Sequence, residues 1–268
     1  MRISAFFVPF FAFLAGVGGF YLRLSELLNV FDARSGLPER GAATTVWLLA
    51  LSAVYLSAVF VFALIASSKN KAPQGFENAF GTDPLAYPVL FILIGVAWLA
   101  GTMMYFFDLN SSGRLEMIDI YFIALSALSA ISIAVFAIEM YQDSRRKSPF
   151  ALSIVPTVFL CLWLILLYRQ NASNPVLLSY GYECLAIVFA ALSFYFTSGF
   201  LYGKPAPGKS IFAYYATIYF CLVTMADDHH ISIKVIYAAI IAASTIHSSM
   251  LIRNLERKST DEPAEAKT

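Results

Sequence analysis

The stretch TTVWLLALSAVYLSAVFVFALIAS occupies residues 44–67 and carries no charged side chain over its 24 residues. An α-helix rises 1.5 Å per residue, so about 20 apolar residues cross the hydrocarbon core of a bilayer. A membrane barrel strand would instead alternate apolar and polar residues over about ten positions. The stretch is continuously apolar and therefore predicts a membrane-spanning helix.

Seven more stretches of this kind lie along the chain, and polar gaps rich in Gly, Pro, Asn and Asp separate them. They predict an all-α fold, a polytopic transmembrane helix bundle with eight helices. Residues 1–252 would form this single bundle, and 253–268 would form a charged, disordered cytoplasmic tail because half of those residues are charged. The predicted helices are 4–22, 44–67, 86–107, 118–140, 149–168, 180–202, 210–226 and 231–252.

The composition of the whole chain supports the same class. Apolar residues make up 59% and charged residues 13% of the 268 positions, whereas soluble domains carry about 25% charged residues. This excludes both a soluble globule and a disordered chain, and it makes the lipid bilayer the main partner. The net charge of +1 gives no reason to expect a nucleic-acid partner.

Basic residues give the orientation. With the N-terminus in the cytoplasm, 12 of the 18 Lys and Arg residues fall on the cytoplasmic side and six on the outer side. Cytoplasmic loops of membrane proteins are enriched in Lys and Arg. The distribution predicts that both termini are cytoplasmic, which requires an even number of helices.

A weak internal repeat is a further hypothesis. Val8-Pro9 in the first helix matches Val155-Pro156 in the fifth, and Thr102-Met103 in the third matches Thr224-Met225 in the seventh. The pairs occur in the same order, which favours a 4+4 parallel repeat over an inverted one. Such dipeptide matches also arise by chance in apolar sequence.

Charged residues concentrate at the predicted outer ends of the helices. They suggest a polar vestibule that binds a small molecule or a protein partner, although a solvated rim would need the same residues. Glu183 lies one turn inside its helix and is expected to pair with Arg169, because a carboxylate within a span is costly without a partner. The candidate residues are Arg23, Glu26, Asp108, Asp119, Arg169, Glu183, Asp227, Asp228, His229 and His230.

His247 is the remaining candidate, on a small-residue face of the last helix with Ala239 and Ala243. It would either relay protons or hydrogen-bond a neighbouring helix. No H-x-x-x-H pair occurs in the chain, and we predict neither a metal site nor a cofactor. The sequence does not identify catalytic residues.

Residues Gly203–Ser210 match the G-x-x-x-x-G-K-[ST] pattern of phosphate-binding loops. That loop works by directing successive backbone N–H groups at phosphate after a strand. No strand is predicted here, and Pro205 and Pro207 each lack the N–H group. We therefore predict a short turn between two helices and no nucleotide binding.

The sequence predicts that the first helix extends beyond the membrane. Within the membrane, the pairs Ala12 and Gly16, and Ala15 and Gly19, predict a buried helix–helix face. Beyond it the helix continues as an apolar stripe (Phe20, Leu24, Leu27, Leu28 and Phe31) with Arg23 and Glu26 on the other side, and it is expected to stop near Ser35–Pro38. The stretch FDARSGLP at 31–38, after Arg23-x-x-Glu26, resembles a segment of bacterial multi-pass membrane proteins that have no assigned activity. The resemblance implies a bacterial inner membrane and no particular chemistry.

Three functions remain open at this stage. A non-enzymatic sensing or scaffolding bundle fits the short loops and charge-free helix centres. A facilitated transporter of a small neutral solute would need a polar cavity near Ser126, Ser129 and His247. A lipid-modifying enzyme would need His229 or His230 beside at least two acidic groups in one pocket.

Overall fold

A computed structural model of the protein describes residues 4–31, 38–39, 41–71, 73, 75–81, 85–142, 149–174 and 176–257. Over these residues the regular secondary structure is helical, apart from one pair of two-residue strands, β1 (Asn70–Lys71) and β2 (Glu256–Arg257), and one isolated bridge. The helices are α1 Ser4–Asn29, α2 Ala43–Lys69, α3 Phe76–Phe80, α4 Ala86–Ser111, α5 Met117–Gln142, α6 Pro149–Gln170, α7 Leu177–Leu201, α8 Pro207–Thr224 and α9 Ile231–Asn254.

Within this described part, seven helices are long and apolar enough to cross a membrane, namely α1, α2, α4, α5, α6, α7 and α9. The prediction of an all-helical, multi-pass membrane protein is confirmed at this level. The predicted seventh span, 210–226, corresponds to α8, which has 18 residues and is not among the seven.

α8 lies at the centre of the bundle, where it contacts α1, α2, α7 and α9. Its three tyrosines, Tyr214, Tyr215 and Tyr219, are fully buried. Neighbouring helices shield most of α8 from lipid, so its buried surface tolerates hydroxyl groups that a lipid-facing helix would avoid. This explains why α8, although long enough, is not among the helices that are apolar enough to cross a membrane.

α1 packs against α8 through a face that includes Ala12 and Gly16, one of the predicted small-residue pairs. The buried positions of α1 include Ala12, Gly16, Gly19, Arg23 and Glu26, spaced alternately by three and four residues. This stripe is a continuous helix face, and it brings the charged pair into the bundle. Arg23 and Glu26 lie on the side opposite the apolar stripe, as predicted, but it is their side that packs into the bundle, and Leu28 of the stripe is 73% exposed.

Close approach requires the two glycines on this face. A Cβ on Gly16 would lie 2.5 Å from Leu222 Cδ1, and one on Gly19 would lie 2.6 Å from Val223 Cγ2. Small residues at helix contacts let two backbones approach each other in a bilayer. The glycines thus seat α1 on α8 and set the position of Arg23.

α1 ends at Asn29, six residues before the predicted stop at Ser35–Pro38. The Asn29 side chain donates a hydrogen bond to the Ser25 carbonyl at 2.9 Å, and Phe31 forms an isolated bridge with Pro38. The intervening residues 32–37, which hold most of the FDARSGLP stretch, lie outside the described residues.

The short helix α3, which was not predicted, packs against α9 and α7 at the end of the bundle opposite Arg23. Its Phe76, Ala79 and Phe80 are buried, and Asn254 of α9 donates hydrogen bonds to the Ala79 and Gly81 carbonyls at 3.0 and 3.1 Å. A five-residue helix is too short to produce a helical period in the sequence.

The beginning of the predicted tail is ordered. α9 continues to Asn254 and β2 pairs antiparallel with β1. Residues 258–268 lie outside the described residues, and the domain boundary at residue 252 stays a prediction.

Short connections make consecutive long helices antiparallel. α1, α4, α6 and α8 end where α2, α5, α7 and α9 begin, and we refer to this side as the Arg23 end. At this end, Arg23 of α1 contacts Asp227 of the α8–α9 connection. Asp108 of α4 contacts His230 of the same connection. The candidate residues other than His247 therefore gather at one end, as expected from the sequence.

Candidate ligand site at the Arg23 end

Arg23 is the centre of a buried polar network. Its side chain is fully buried; its Nε donates to Asp227 Oδ1 at 2.7 Å, and one terminal nitrogen donates to Glu26 Oε2 at 2.8 Å. The guanidinium also donates to the backbone carbonyls of Leu178 and Ser179 at 2.9 and 3.0 Å. A buried charge is costly unless it is paired and hydrogen-bonded, and here four hydrogen bonds satisfy it.

Further contacts fix the geometry of this network. Glu26 accepts a hydrogen bond from Thr45 Oγ1 at 2.6 Å, and the Arg23 guanidinium carbon lies 5.4 Å from the centre of the Tyr182 ring. The network connects α1 with α2, α7 and the α8–α9 connection. Because its donors are used internally, Arg23 is a structural cation rather than a free anion-binding group.

The α8–α9 connection contributes two polar atoms with no hydrogen-bond partner. Asp227 Oδ2 and His229 Nε2 are buried and unpaired, 4.0 Å apart. His229 Nε2 also lies 3.8 Å from Glu183 Oε2 of α7. Both separations exceed hydrogen-bond length, so the three side chains surround a space into which a ligand donor or a water molecule would fit.

Burial shifts the pKa values of Asp227 and His229 in the α8–α9 connection. It raises the pKa of Asp227 against the opposing effect of Arg23. It lowers the pKa of His229 to about 4, and Lys234 and Arg23 act in the same direction. His229 is therefore neutral at pH 7, because desolvation disfavours the charged form of an imidazole.

A cavity of about 170 Å³ opens beside these residues. Polar groups of Asp119, Gln170, Asn171, Glu183 and His229 line one part of it. Tyr105, Phe122, Trp163, Leu166, Leu167 and Ile233 line the rest. The site is thus small and acceptor-rich, with an apolar wall, as is common for pockets that orient a small ligand.

Two predicted residues form a separate pair on the rim. His230 Nε2 lies 3.2 Å from Asp108 Oδ2, and both side chains are nearly half exposed. Asp228 is exposed, and Asp119 accepts a hydrogen bond from the Glu116 N–H at 3.0 Å while also lining the cavity. The acidic and histidine residues therefore divide into a buried site and a solvated rim.

The expected pairing of Glu183 with Arg169 was wrong. Arg169 is exposed at the end of α6 and forms no ion pair with Glu183. Glu183 instead lies near His229 and accepts a long hydrogen bond from Tyr237 at 3.4 Å. The buried arginine of the site is Arg23, because the glycine face of α1 turns it inward.

His247 lies at the other end, inside a group of aromatic rings. Its ring centre is 4.6 Å from Phe91 and 5.0 Å from Phe80, and its Nε2 is 3.3 Å from the Tyr87 hydroxyl. The cavity beside it measures about 30 Å³, room for about one water molecule. His247 is a core residue with a hydrogen bond to another helix, and it takes no part in the Arg23-end site.

The serines on the predicted solute path are also internally satisfied. Ser126 accepts from Trp98 Nε1 at 3.0 Å and hydrogen-bonds Thr102 at 2.7 Å. Ser129 donates to the Leu125 carbonyl at 2.8 Å. Neither serine lines the cavity of about 30 Å³ beside His247, so the described residues give no support for a polar solute path at this position.

Sequence reasoning missed Thr45, Tyr182 and Tyr237, which complete the site. Each lies on a helix that begins at the Arg23 end, within two turns of its start. In the sequence, the signal for these residues was that they lie close to the predicted outer ends of the helices, where the charged residues concentrate. Among residues that the structure describes, no group of three or more His, Cys, Asp or Glu has a geometry that would hold a metal ion.

Comparison of the chain with protein-family models, with curated proteins and with solved structures finds no match in any of the three.

Proposed function

We propose that this protein is a non-enzymatic, multi-pass sensing bundle that binds a small polar cation at the Arg23 end. The observation that carries the proposal is a group of three polar atoms beside the cavity, two of which, Asp227 Oδ2 and His229 Nε2, have no hydrogen-bond partner. Asp227 Oδ2, Glu183 Oε2 and His229 Nε2 converge without hydrogen-bonding each other. A ligand that brings N–H donors would satisfy them.

The charge balance favours a cation over an anion. Glu183 and Asp119 both line the cavity, whereas the guanidinium of Arg23 is occupied by its own partners. The volume of about 170 Å³ limits the ligand to a few non-hydrogen atoms. A short primary amine or a guanidinium-like ion has the size and donor groups required.

The packing below the site favours ligand binding without transport of the ligand across the membrane. Beneath the site, Trp163 lies 5.0 Å from Tyr237 and 5.5 Å from Phe122, ring centre to ring centre. Farther along, Trp98, Thr102 and Ser126 close the core by mutual hydrogen bonds. This arrangement supports sensing or scaffolding rather than facilitated transport.

The proposal includes an orientation in a bacterial inner membrane. Eight helices would cross, with α8 as the shielded eighth span at about 27 Å, and both termini would be cytoplasmic. The excess of Lys and Arg on that side supports this arrangement. The Arg23 end would then face outward, where a small solute or a protein partner arrives.

The test is a thermal-shift and calorimetric titration of the detergent-purified protein with guanidinium and ethylammonium, and with acetate as a matched anion. We expect saturable binding of a cation and none of acetate, with Glu183→Gln weakening affinity at least tenfold. Asp108→Asn, on the rim, is the control and should change affinity less than twofold. Equal responses to cation and anion, or insensitivity to Glu183→Gln, would contradict the proposal.

One observation favours a lipid-modifying enzyme as a second candidate, because His229 lies within 4.0 Å of two acidic side chains. General acid–base catalysis works best when the catalytic pKa lies near the working pH, and the pKa of His229 is about 4. Incubation with labelled phospholipids distinguishes the two functions. Product that appears with the native protein and is lost in His229→Gln would favour the enzyme.

A further inference from the structure

A second and larger feature lies at the opposite end of the bundle, in a groove between α2, α7 and α8. It measures about 760 Å³. Both α2 and α7 pack against α8, and small residues of the floor, Ala63, Gly208 and Ala213, leave space between them. A Cβ on Gly208 would lie 2.9 Å from Ser67 Cβ, so glycine is needed where the groove ends.

Aromatic and aliphatic side chains form the walls of this groove. Phe212 lies edge-on to Phe60 at 5.9 Å and to Phe189 at 5.8 Å between ring centres. Phe60 and Leu64 are more than half exposed on α2. In a bilayer these side chains face acyl chains, so the groove opens sideways into lipid.

The groove has a polar end with a positive charge. Lys209, Ser67 and Asn70 line it there, beside Pro205 and Pro207 of the α7–α8 turn. Lys209 is exposed and belongs to the turn that matches the phosphate-loop pattern. A lysine next to an apolar channel suits an amphiphile with an anionic head, since basic groups at the membrane surface attract anionic lipids.

We infer that the groove between α2, α7 and α8 is a binding site for one anionic phospholipid. The acyl chain would lie along Phe60, Phe189 and Phe212, and the phosphate would contact Lys209. This inference is independent of the cation site, which lies at the other end of the bundle. Lys209 belongs to the Gly203–Ser210 turn, so this turn would contact a lipid phosphate through a side chain rather than through the backbone N–H groups of a phosphate-binding loop.

The test is native mass spectrometry of the full chain after exchange into phosphatidylglycerol or phosphatidylcholine at equal mole fraction. We expect one retained lipid per protein, with at least fivefold preference for phosphatidylglycerol. Lys209→Gln should abolish the preference. Lys204→Gln removes the same charge from the same turn, but Lys204 does not line the groove, so it should leave the preference intact.

Leu192→Trp provides a second, charge-independent variant because it fills the groove from α7. It should lower retention of both lipids several-fold while the melting temperature stays near that of the native chain. Equal retention of the two lipids by the native protein, or equal effects of Lys204→Gln and Lys209→Gln, would overturn the inference. So would a dimer that Leu192→Trp dissociates, because the groove would then hold a second copy.

Discussion

Arg23 Nε donates to Asp227 Oδ1 at 2.7 Å, although 204 residues separate the two in sequence. The pair joins the first helix to the connection between the last two. Glu26 also accepts a hydrogen bond from the same guanidinium, so the single positive charge of Arg23 is shared by the carboxylates of Glu26 and Asp227. The network both holds the bundle closed and positions Asp227 so that its second oxygen stays unpaired.

Removing the arginine should be strongly destabilising. Arg23→Met leaves Glu26 and Asp227 buried without their cation, and breaking a buried pair costs about 3–5 kcal/mol. Denaturant unfolding in detergent measures the loss. Arg169→Met, on an exposed arginine, is the matched control and should cost less than about 0.5 kcal/mol; similar losses for the two variants would refute the structural role of Arg23.

Asp227→Asn tests the same pair with less disturbance. The amide oxygen of Asn still accepts the hydrogen bond from Arg23, whereas Asp227→Ala removes the acceptor. We therefore expect the Asn variant to retain more unfolding free energy than the Ala variant by about 1–3 kcal/mol. If both variants unfold at the same denaturant concentration, the hydrogen bond to Arg23 contributes nothing.

Adjacent glycines of α1 give a paired test of helix contact. Gly19→Ala places a Cβ 2.6 Å from Val223 Cγ2, whereas the nearest atom to a Cβ on Gly18 is Leu51 Cδ2 at 3.8 Å. Overpacking costs about 1–3 kcal/mol, so Gly19→Ala should destabilise the protein. Gly18→Ala should be neutral or stabilise by up to about 1 kcal/mol; thermal unfolding that ranks them in the reverse order would show that α1 does not pack on α8 as described.

The folded protein should lose stability as pH falls from about 6.5 to about 4. The pKa of His229 is lowered from 6.5 to about 4 in the folded state, so the unfolded chain binds the proton first and stability rises with pH across this range. His229→Gln should remove that slope, which corresponds to about 3 kcal/mol at most. The charged groups that face the ring are Arg23, Glu183, Asp227, Asp228 and Lys234.

Asp227 acts in the opposite direction. Its pKa is raised by burial, so its penalty is present at neutral pH and is relieved as the carboxyl takes up a proton. Comparing native protein, His229→Gln and Asp227→Asn by unfolding at several pH values separates the two effects. A native slope that persists unchanged in His229→Gln would contradict the assignment to His229.

His247 should behave as a packing residue. His247→Phe keeps the ring between Phe80 and Phe91 and should change the unfolding free energy by less than about 1.5 kcal/mol, whereas His247→Ala leaves a void and should cost about 2–4 kcal/mol. Cation binding at the Arg23 end should be the same in His247→Phe as in the native protein. Loss of binding in a folded His247→Phe variant would instead connect the two ends.

The sequence predicted the helical membrane class well because hydropathy reports directly on contact with lipid. For α1, the pair Ala12 and Gly16 indicated the packed face within the membrane, whereas the apolar stripe beyond it did not show that Arg23 and Glu26 continue that face into the bundle. In a bilayer, lipid solvates leucine as well as a neighbouring helix does. The better signal was the spacing of Ala12, Gly16 and Gly19, which continues without interruption into Arg23 and Glu26.

The partner of Glu183 was beyond the reach of sequence. Arg169 and Glu183 lie close along the chain, and that proximity suggested the pair. The actual neighbours, His229 and Tyr237, come from the far end of the chain and depend on how α9 packs. The count of eight helices stays a prediction, because α8 is buried in the bundle and its hydropathy does not indicate whether it crosses the membrane. The orientation and the 4+4 repeat stay predictions as well.

The contact between the first helix and the α8–α9 connection also bears on how the protein is made. A ribosome adds about 5–20 residues per second, so roughly 10–40 s pass between synthesis of Arg23 and synthesis of Asp227. During that interval Arg23 lacks the Asp227 partner that it has in the folded protein. α1 therefore reaches its final contacts only after the α8–α9 connection has been made, long after its own synthesis.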